Sequence, residues 1–325
     1  MAQSLLFAVT RVQSFIFILF FSASSQSAIF GNNNIHLMTS SSSKHHLGQA
    51  TAIAILNSNY EKTQAGKVTL FTEPITSLCK SETMHNEPSL AFACTGFLIA
   101  PDLLVTAGHC LYAVNSPNQE LKNESGLACE IFDWYFDFEA NSEGIAQTKD
   151  IASENLYRCK RIIYAVQKET APFQDYALVQ LDRAVVNRTP LKLAQKPSAE
   201  MNLGTSLFMI GHPFGTPKKM TDQGDVILNN PVASTFVTNL DAFNGNSGSP
   251  VFNSKNEVTG ILVSGTPSAN TYYDSENKCE RLNRCSSDGK TCQAPDTETS
   301  WFPGFQIVGS DVQRIEPILQ LLKDL

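Results

Sequence analysis

Ile131-Phe-Asp-Trp-Tyr-Phe-Asp-Phe-Glu139 alternates in character, with Phe132, Trp134, Phe136 and Phe138 on one face and Asp133, Tyr135, Asp137 and Glu139 on the other. A period of two predicts a strand with one buried face. Shorter β-type runs separated by turn residues lie on both sides of it: Thr51–Leu56, Lys67–Thr72, Thr95–Ile99, Leu103–Thr106, Arg161–Val166, Tyr176–Leu181, Ser206–Ile210, Val232–Thr238, Val258–Val263 and Gly304–Val308. Only the C-terminal segment, about 311–325, has helical spacing, through Val312, Ile315, Leu319 and Leu322. Pro317 interrupts it, so the regular helix is expected to start there, with proline in its first turn. Many short strands and one terminal helix predict an all-β fold, barrel or sandwich.

The chain has 325 residues, of which 42% are hydrophobic and 17% charged, with a formal net charge of −7. That composition belongs to a folded globular protein. The acidic balance, with no basic run longer than Lys218-Lys219, argues against nucleic acid as a partner, because phosphate binding needs clustered Lys and Arg. The stretch from Ala113 to Asp150 carries eight acids and two lysines. It reads as a solvated face beside the aromatic strand, or less simply as a site that attracts cations.

Arg11 is the only charged residue in the first 43, and Phe15–Phe21 is an uninterrupted apolar run followed by small residues up to Ala28. The order of basic, apolar and small residues predicts a signal peptide over 1–27, with cleavage between Ser24 and Ala28. The apolar core is too short to span a bilayer. Export makes disulfides the default for the eight cysteines, Cys79, Cys94, Cys110, Cys129, Cys159, Cys279, Cys285 and Cys292. No Cys-x-x-Cys pair occurs, and neither a metal nor any cofactor is expected. Residues 28–49, rich in Asn, Ser and His, read as a loosely held N-terminal arm or short propeptide.

Three segments concentrate the chemistry: Thr106-Ala-Gly-His109-Cys110, Asp175-Tyr-Ala-Leu-Val-Gln-Leu181 and Gly245-Asn-Ser247-Gly-Ser-Pro250. A serine hydroxyl becomes a nucleophile when an imidazole removes its proton, and the imidazole needs a carboxylate to fix its tautomer and steady its charge. Glycine beside the serine lets backbone N–H groups turn toward a developing oxyanion. His109, Asp175 and Ser247 are the candidates for these roles, with the N–H groups of Gly245 and Ser247 as the oxyanion hole. Asp102 and Asp182 compete with Asp175. An α/β-hydrolase is disfavoured because Ser249 occupies the last glycine position of Gly-x-Ser-x-Gly and because the triad order differs. Subtilisin order, Asp before His, also fails.

Thr106-Ala-Gly-His109-Cys110 and Gly245-Asn-Ser247-Gly-Ser-Pro250 resemble the two signature motifs of the trypsin-like (chymotrypsin-fold) serine peptidases. The second has the form typical of their bacterial, glutamyl-endopeptidase-like branch, and Ile29-Phe-Gly-Asn-Asn33 resembles the mature start in that branch. The resemblance covers roughly residues 50–325. It implies two six-stranded antiparallel β-barrels, the first over about 50–185 and the second over about 186–310, with the triad between them and a closing helix over about 311–325. It also implies a Cys94–Cys110 disulfide around the histidine loop; Cys129 with Cys159 is a further plausible pair. Asn246 stands where zymogens of the family carry an acid, and Val263 where animal members carry a serine beside the triad acid. Asp241 stands where trypsin has its pocket-floor acid, with Gly265 and Gly304 as small residues that keep a pocket open. The activity implied is that of a secreted, monomeric serine endopeptidase cutting after Arg or Lys, acting on proteins or peptides and met by a protein inhibitor. Apolar, broad or glutamyl P1 preference, and a non-catalytic binding module of the same fold, are the alternatives. His212, in Gly211-His-Pro-Phe-Gly215, reads as a turn residue.

Overall fold

Twelve strands account for the framework of the protein, a computed structural model of which describes residues 28–64, 66–111, 119–125, 127–168, 172–265, 270–294 and 308–325. The first six are β1 (Thr51–Leu56), β2 (Cys94–Ala100), β3 (Leu103–Thr106), β4 (Phe132–Tyr135), β5 (Leu156–Lys168) and β6 (Gln174–Leu181). They pair antiparallel in the closed order β1-β2-β3-β6-β5-β4. The second six are β7 (Ser206–Gly211), β8 (Lys219–Leu228), β9 (Thr235–Thr238), β10 (Pro250–Phe252), β11 (Val258–Gly265) and β12 (Ser310–Arg314). Their ring, β7-β8-β9-β12-β11-β10, repeats the first one strand for strand. Closure removes the free sheet edges that a twelve-strand open sheet would expose. The helix α1 (Glu316–Lys323) follows β12 directly, with Pro317 in its first turn.

The two rings share one apolar core. Trp134, Phe97, Leu104 and Val105 from the first barrel lie in the same buried cluster as Phe208, Phe252, Ile261 and Val263 from the second, and Ile315 and Ile318 at the start of α1 close it. Gly96 shows how tight the filling is. A Cβ there would stand 2.6 Å from Trp134 Cζ3 and 2.7 Å from Leu104 Cδ2, so only glycine fits beneath the indole. A separate cluster of Leu207, Met209, Phe236, Leu262 and Val312 fills the second barrel. Consequently the inward face of β12 carries Ser310 and Val312, while Asp311 and Gln313 alternate onto the opposite face.

Several sequence expectations need correction. The alternating stretch 131–139 is a strand only to Tyr135, and both of its faces are buried. Trp134 and Phe136 enter the shared core, whereas Tyr135 and Phe138 enter a second cluster with Ile53, Ile55 and Val68. Of the eight acids between Ala113 and Asp150, Glu120, Glu124, Glu130, Glu143 and Asp150 are exposed, as a solvated face requires, whereas two in the aromatic stretch are paired. Asp133 accepts from Tyr60 Oη at 2.6 Å, and Asp137 from Arg188 Nη2 at 2.7 Å. The last strand is Ser310–Arg314, inside the segment read as helix, because Val312 packs across the barrel and not along a helix face. Strand β8 gave no apolar signal, since its buried positions include Lys219 and Thr221; Lys219 is satisfied by Glu87 Oε2 at 2.5 Å. The signal-peptide stretch 1–27 and the expected strand residues 304–307 lie outside the described residues.

The segment 28–49 is not loosely held. Ala28 and Ile29 are fully buried and Phe30 nearly so. Ile29-Phe30 runs parallel to Arg284-Cys285, and Ile35–Leu37 adds an antiparallel strand to the edge of β8. Asp241 anchors the turn between them: Oδ1 accepts the amide of Phe30 at 2.7 Å and Oδ2 that of Asn34 at 2.8 Å. Burial pushes the Asp241 carboxyl up to about 7, against the downward pull of those two amides. The folded chain therefore keeps a proton that the unfolded chain releases between about pH 4 and 7, and this group's contribution to stability falls as the pH rises through that window. Asp241→Ala should leave both amides unsatisfied and cost about 2–4 kcal/mol. The expected outcome is a lower thermal midpoint and faster proteolytic nicking within residues 31–38; an unchanged nicking rate would show that the carboxylate is not what holds the segment.

Candidate functional site

The three motifs converge where the rings meet. Strand β3 ends at Thr106, and Gly108–Leu111 forms a single 3₁₀ turn that presents His109. Gly108 is required at that turn, because a Cβ would lie 2.0 Å from the carbonyl oxygen of Val166. Asp175 sits at the start of β6, where its own amide donates to Gln313 Oε1 of β12 at 3.0 Å. Both Asp175 oxygens serve His109: Oδ2 stands 2.6 Å from Nδ1 and Oδ1 accepts the histidine's backbone amide at 2.8 Å. The other two candidate acids are engaged elsewhere, Asp102 by Gln180 Nε2 and Asp182 by Arg183.

Ser247 lies in the 239–249 connection between β9 and β10 and is nearly buried. It is brought to the histidine turn by contacts on each side of it. Thr95 N donates to Ser247 O at 2.7 Å, Cys110 Sγ lies 3.8 Å from the same oxygen, and a Cβ on Gly248 would fall 3.0 Å from Ala107 N. Gly245 (φ +93°) and Gly248 (φ +87°) occupy left-handed conformations against crowded backbone, a Cβ at Gly245 meeting His212 O at 2.3 Å. Every carbonyl from 244 to 247 is held: Asn244 O by Phe214 N, Gly245 O by Thr95 Oγ1 at 2.8 Å, Asn246 O by Ser249 N at 2.9 Å, and Ser247 O by Thr95 N. In a trans peptide the N–H points opposite to the preceding C=O. The amides of Gly245 and Ser247 are thus aimed away from Phe214 and Ser249, and neither has an acceptor among the described residues.

Burial of the His109 imidazole pushes its pKa down, but the charge and the hydrogen bond of Asp175 outweigh that, and the net shift is upward. Nδ1 is therefore the protonated nitrogen of the neutral ring, which leaves Nε2 as the free base. Cys94, His109 and Cys110 place three potential metal-ligand atoms within 4.8 Å of one another. The two sulfurs, however, are joined to each other as a disulfide, so no thiolate is available to a metal. The other disulfides are Cys129–Cys159, Cys79–Cys279 and Cys285–Cys292.

The expected pocket residues do not assemble as read. Asp241 is 1% exposed with both oxygens taken by the N-terminal segment, so it is not an open charge at a pocket floor. Gly265 ends β11, paired with Ser310, and Gly304 lies outside the described residues. His212 is fully buried, ring-stacked on Phe138, with Nδ1 3.0 Å from Thr216 O. Burial and the neighbouring Lys218 hold it well below the usual histidine range, so it is neutral. Lys218 is itself buried, donates to Phe136 O at 2.7 Å, and is pushed down to about 8 by its burial.

Sequence reasoning missed Gln313, Ser234 and Thr95. Gln313 holds the amide of Asp175, and its own Nε2 donates to Ser234 O at 3.0 Å, while Ser234 Oγ donates to Phe173 O. Together they fix residues 173–175 from the second barrel. Only a strand assignment for 310–314 would have found Gln313. The Asp311 carboxylate, on the same face, has no hydrogen-bond or ion-pair partner among the described residues, and burial pushes it up to about 7.

The family model of the trypsin-like peptidase domain matches residues 94–261. A comparison with curated proteins finds no match. Among solved structures, a Glu endopeptidase in complex with MPD is 13% identical, covering 91% of this chain and 98% of its own, with a TM-score of 0.47. An inactive serine-to-alanine mutant of Rv3671c from M. tuberculosis H37Rv is 12% identical, covering 86% and 89%, with a TM-score of 0.40.

Replacing Asp175 by Asn should leave burial as the main influence on His109 and lower its titration midpoint, because the carboxylate is what raises it. The midpoint is read from the imidazole C2-proton shift by NMR. A midpoint that stays put or rises would break the assignment of Asp175 as the controlling partner.

Proposed function

Since the chain belongs to the trypsin-like peptidase family, we propose that it is an exported serine endopeptidase in which Ser247 is the nucleophile, His109 the general base and then acid, and Asp175 the group that orients His109. The observation that carries this reading is the His109–Asp175 pair at 2.6 Å, with the second carboxylate oxygen on the histidine's own amide. A carboxylate bound in two places fixes the ring's tautomer and its plane, as proton transfer requires.

In the proposed reaction Ser247 Oγ attacks the scissile carbonyl carbon while its proton passes to His109 Nε2. The carbonyl oxygen becomes an oxyanion facing the amides of Gly245 and Ser247. The C–N bond then breaks, His109 returns the proton to the leaving amine, and the acyl group stays on Ser247. Water repeats the sequence in reverse order of groups and frees the acid. Asp175 remains ionised throughout and steadies the imidazolium. Four disulfides support an extracellular setting, where such bonds persist. No helix among the described residues is long and apolar enough to cross a membrane.

Ser247→Ala should retain the fold and lose nearly all turnover, leaving only the small rate that binding and the oxyanion donors supply. A fluorophosphonate probe should label the parent at Ser247 and not the variant. Failure to label the parent would support a non-catalytic binding module instead. In the parent, kcat/KM should rise with pH through a midpoint above the ordinary histidine value of about 6.5, since the base must be neutral and Asp175 raises it.

The preference for Arg or Lys at P1 loses its footing once Asp241 is bound by Phe30 and Asn34. Matched peptides with Arg, Lys, Glu and Phe at P1 are expected to show no marked advantage for Arg over Phe. An Arg preference that disappears in Asp241→Ser would restore Asp241 as a specificity residue.

A further inference from the structure

Thr95 is fully buried at the start of β2, one residue after the disulfide-bonded Cys94, and it touches the serine loop, the His212 turn and the strand that leads to His109. Its amide donates to Ser247 O at 2.7 Å and its hydroxyl to Gly245 O at 2.8 Å. The hydroxyl in turn accepts the amide of His212 at 3.2 Å, and the Thr95 carbonyl accepts Thr106 Oγ1 at 2.7 Å, three residues before His109. No other side chain among the described residues donates to the carbonyls of 244–247.

We propose that Thr95 is a positioning residue for the oxyanion hole, its hydroxyl fixing, from the opposite barrel, the Gly245–Asn246 peptide that lies between the Gly245 and Ser247 amides. The assignment rests on the functional reading above, in which the Gly245 and Ser247 amides receive the oxyanion. Gly245 has no side chain to restrict its dihedrals, so its left-handed conformation depends on what holds its two carbonyl neighbours. Phe214 N holds the peptide before it, which carries the Gly245 N–H, while the peptide after it is held at its oxygen by Thr95 Oγ1 and at its N–H by Phe243 O, 3.0 Å from Asn246 N. With the hydroxyl gone, Gly245 O is a buried acceptor without a donor, and turning the Gly245–Asn246 peptide to recover one changes ψ of Gly245 and φ of Asn246, which moves the Gly245 and Ser247 N–H groups relative to each other. The consequence falls on the transition state, where the oxyanion exists, and not on ground-state substrate binding.

Thr95→Val keeps the shape and removes the donor, whereas Thr95→Ser restores the hydroxyl and removes only a methyl. With a chromogenic peptide the parent cleaves, Thr95→Val should lose about tenfold or more in kcat, a fraction of the ~10²–10³ lost with a whole oxyanion donor, while KM stays within about twofold. Thr95→Ser should recover kcat to within about threefold of the parent. Fluorophosphonate labelling should slow in parallel in Thr95→Val, because that reaction also builds charge on an oxygen in the hole, whereas the His109 titration midpoint should not move. Circular dichroism and thermal melts establish that each variant is folded. Parent-like kcat in a folded Thr95→Val, a loss confined to KM, or a Ser variant as impaired as the Val variant overturns the assignment. A Val variant that does not fold while the Ser variant matches the parent in kcat and in labelling rate still supports it, whereas reduced kcat in a folded Ser variant refutes it. A parent that neither cleaves nor labels overturns the peptidase reading first, and this inference with it.

Discussion

The amide of Thr95 donating to the carbonyl of Ser247 is the bond on which the site's assembly depends. It crosses from the first barrel to the second at the point where the serine loop is constrained by glycine. Gly248 cannot carry a Cβ, which would overlap the Thr95 carbonyl and Thr106 Oγ1, and Gly245 cannot carry one against His212 O. The loop therefore approaches the opposite barrel more closely than any residue with a side chain would allow. Close approach lets ordinary backbone bonds, and not long flexible side chains, set the positions of the Gly245 and Ser247 amides. Bonds of that kind are short and lose little conformational entropy on forming.

The opposite traffic runs from the second barrel to the first. Gln313 and Ser234 hold the segment that carries Asp175, and Asp175 holds His109 by both its ring and its amide. Each ring thus fixes a piece of the site that the other ring presents. Their identical strand order makes this exchange geometrically natural, because the loops that follow equivalent strands face one another across the shared core. Disturbing either barrel would move groups belonging to both.

Buried charge around the site is handled by pairing it with backbone. Asp241 is answered by the amides of the N-terminal segment, and Lys218 by the carbonyl of Phe136. Both groups are shifted toward neutrality by desolvation, Asp241 upward and Lys218 downward. The N-terminal segment is for this reason part of the second barrel's structure, extending the sheet at β8 and covering a carboxylate that would otherwise be an uncompensated charge.

Fold class was legible from the sequence because strand alternation and turn residues are local properties. Thr51–Leu56 and Leu103–Thr106 are strands with the very limits their composition marks, and the histidine, acid and serine segments were found because each requires particular residues beside it. What stayed hidden was set by contacts between residues far apart in the chain. Lys219–Leu228 carries polar residues on its buried side, so no periodicity announced it, and Ser310–Arg314 was masked by helical spacing that continues into α1. Asp241 lies six residues before Ser247, as a pocket acid would, yet its carboxylate is spent on amides more than 200 residues away. Thr95 carries no motif at all; its importance comes only from the 150-residue separation that folding closes between it and Gly245. The sequence by itself determined which elements form and which side chains have the chemistry, since propensity and reactivity are local. Only the tertiary structure decided which hydrogen-bond partner each buried polar group obtained, because that choice depends on what the other barrel brings within about 3 Å.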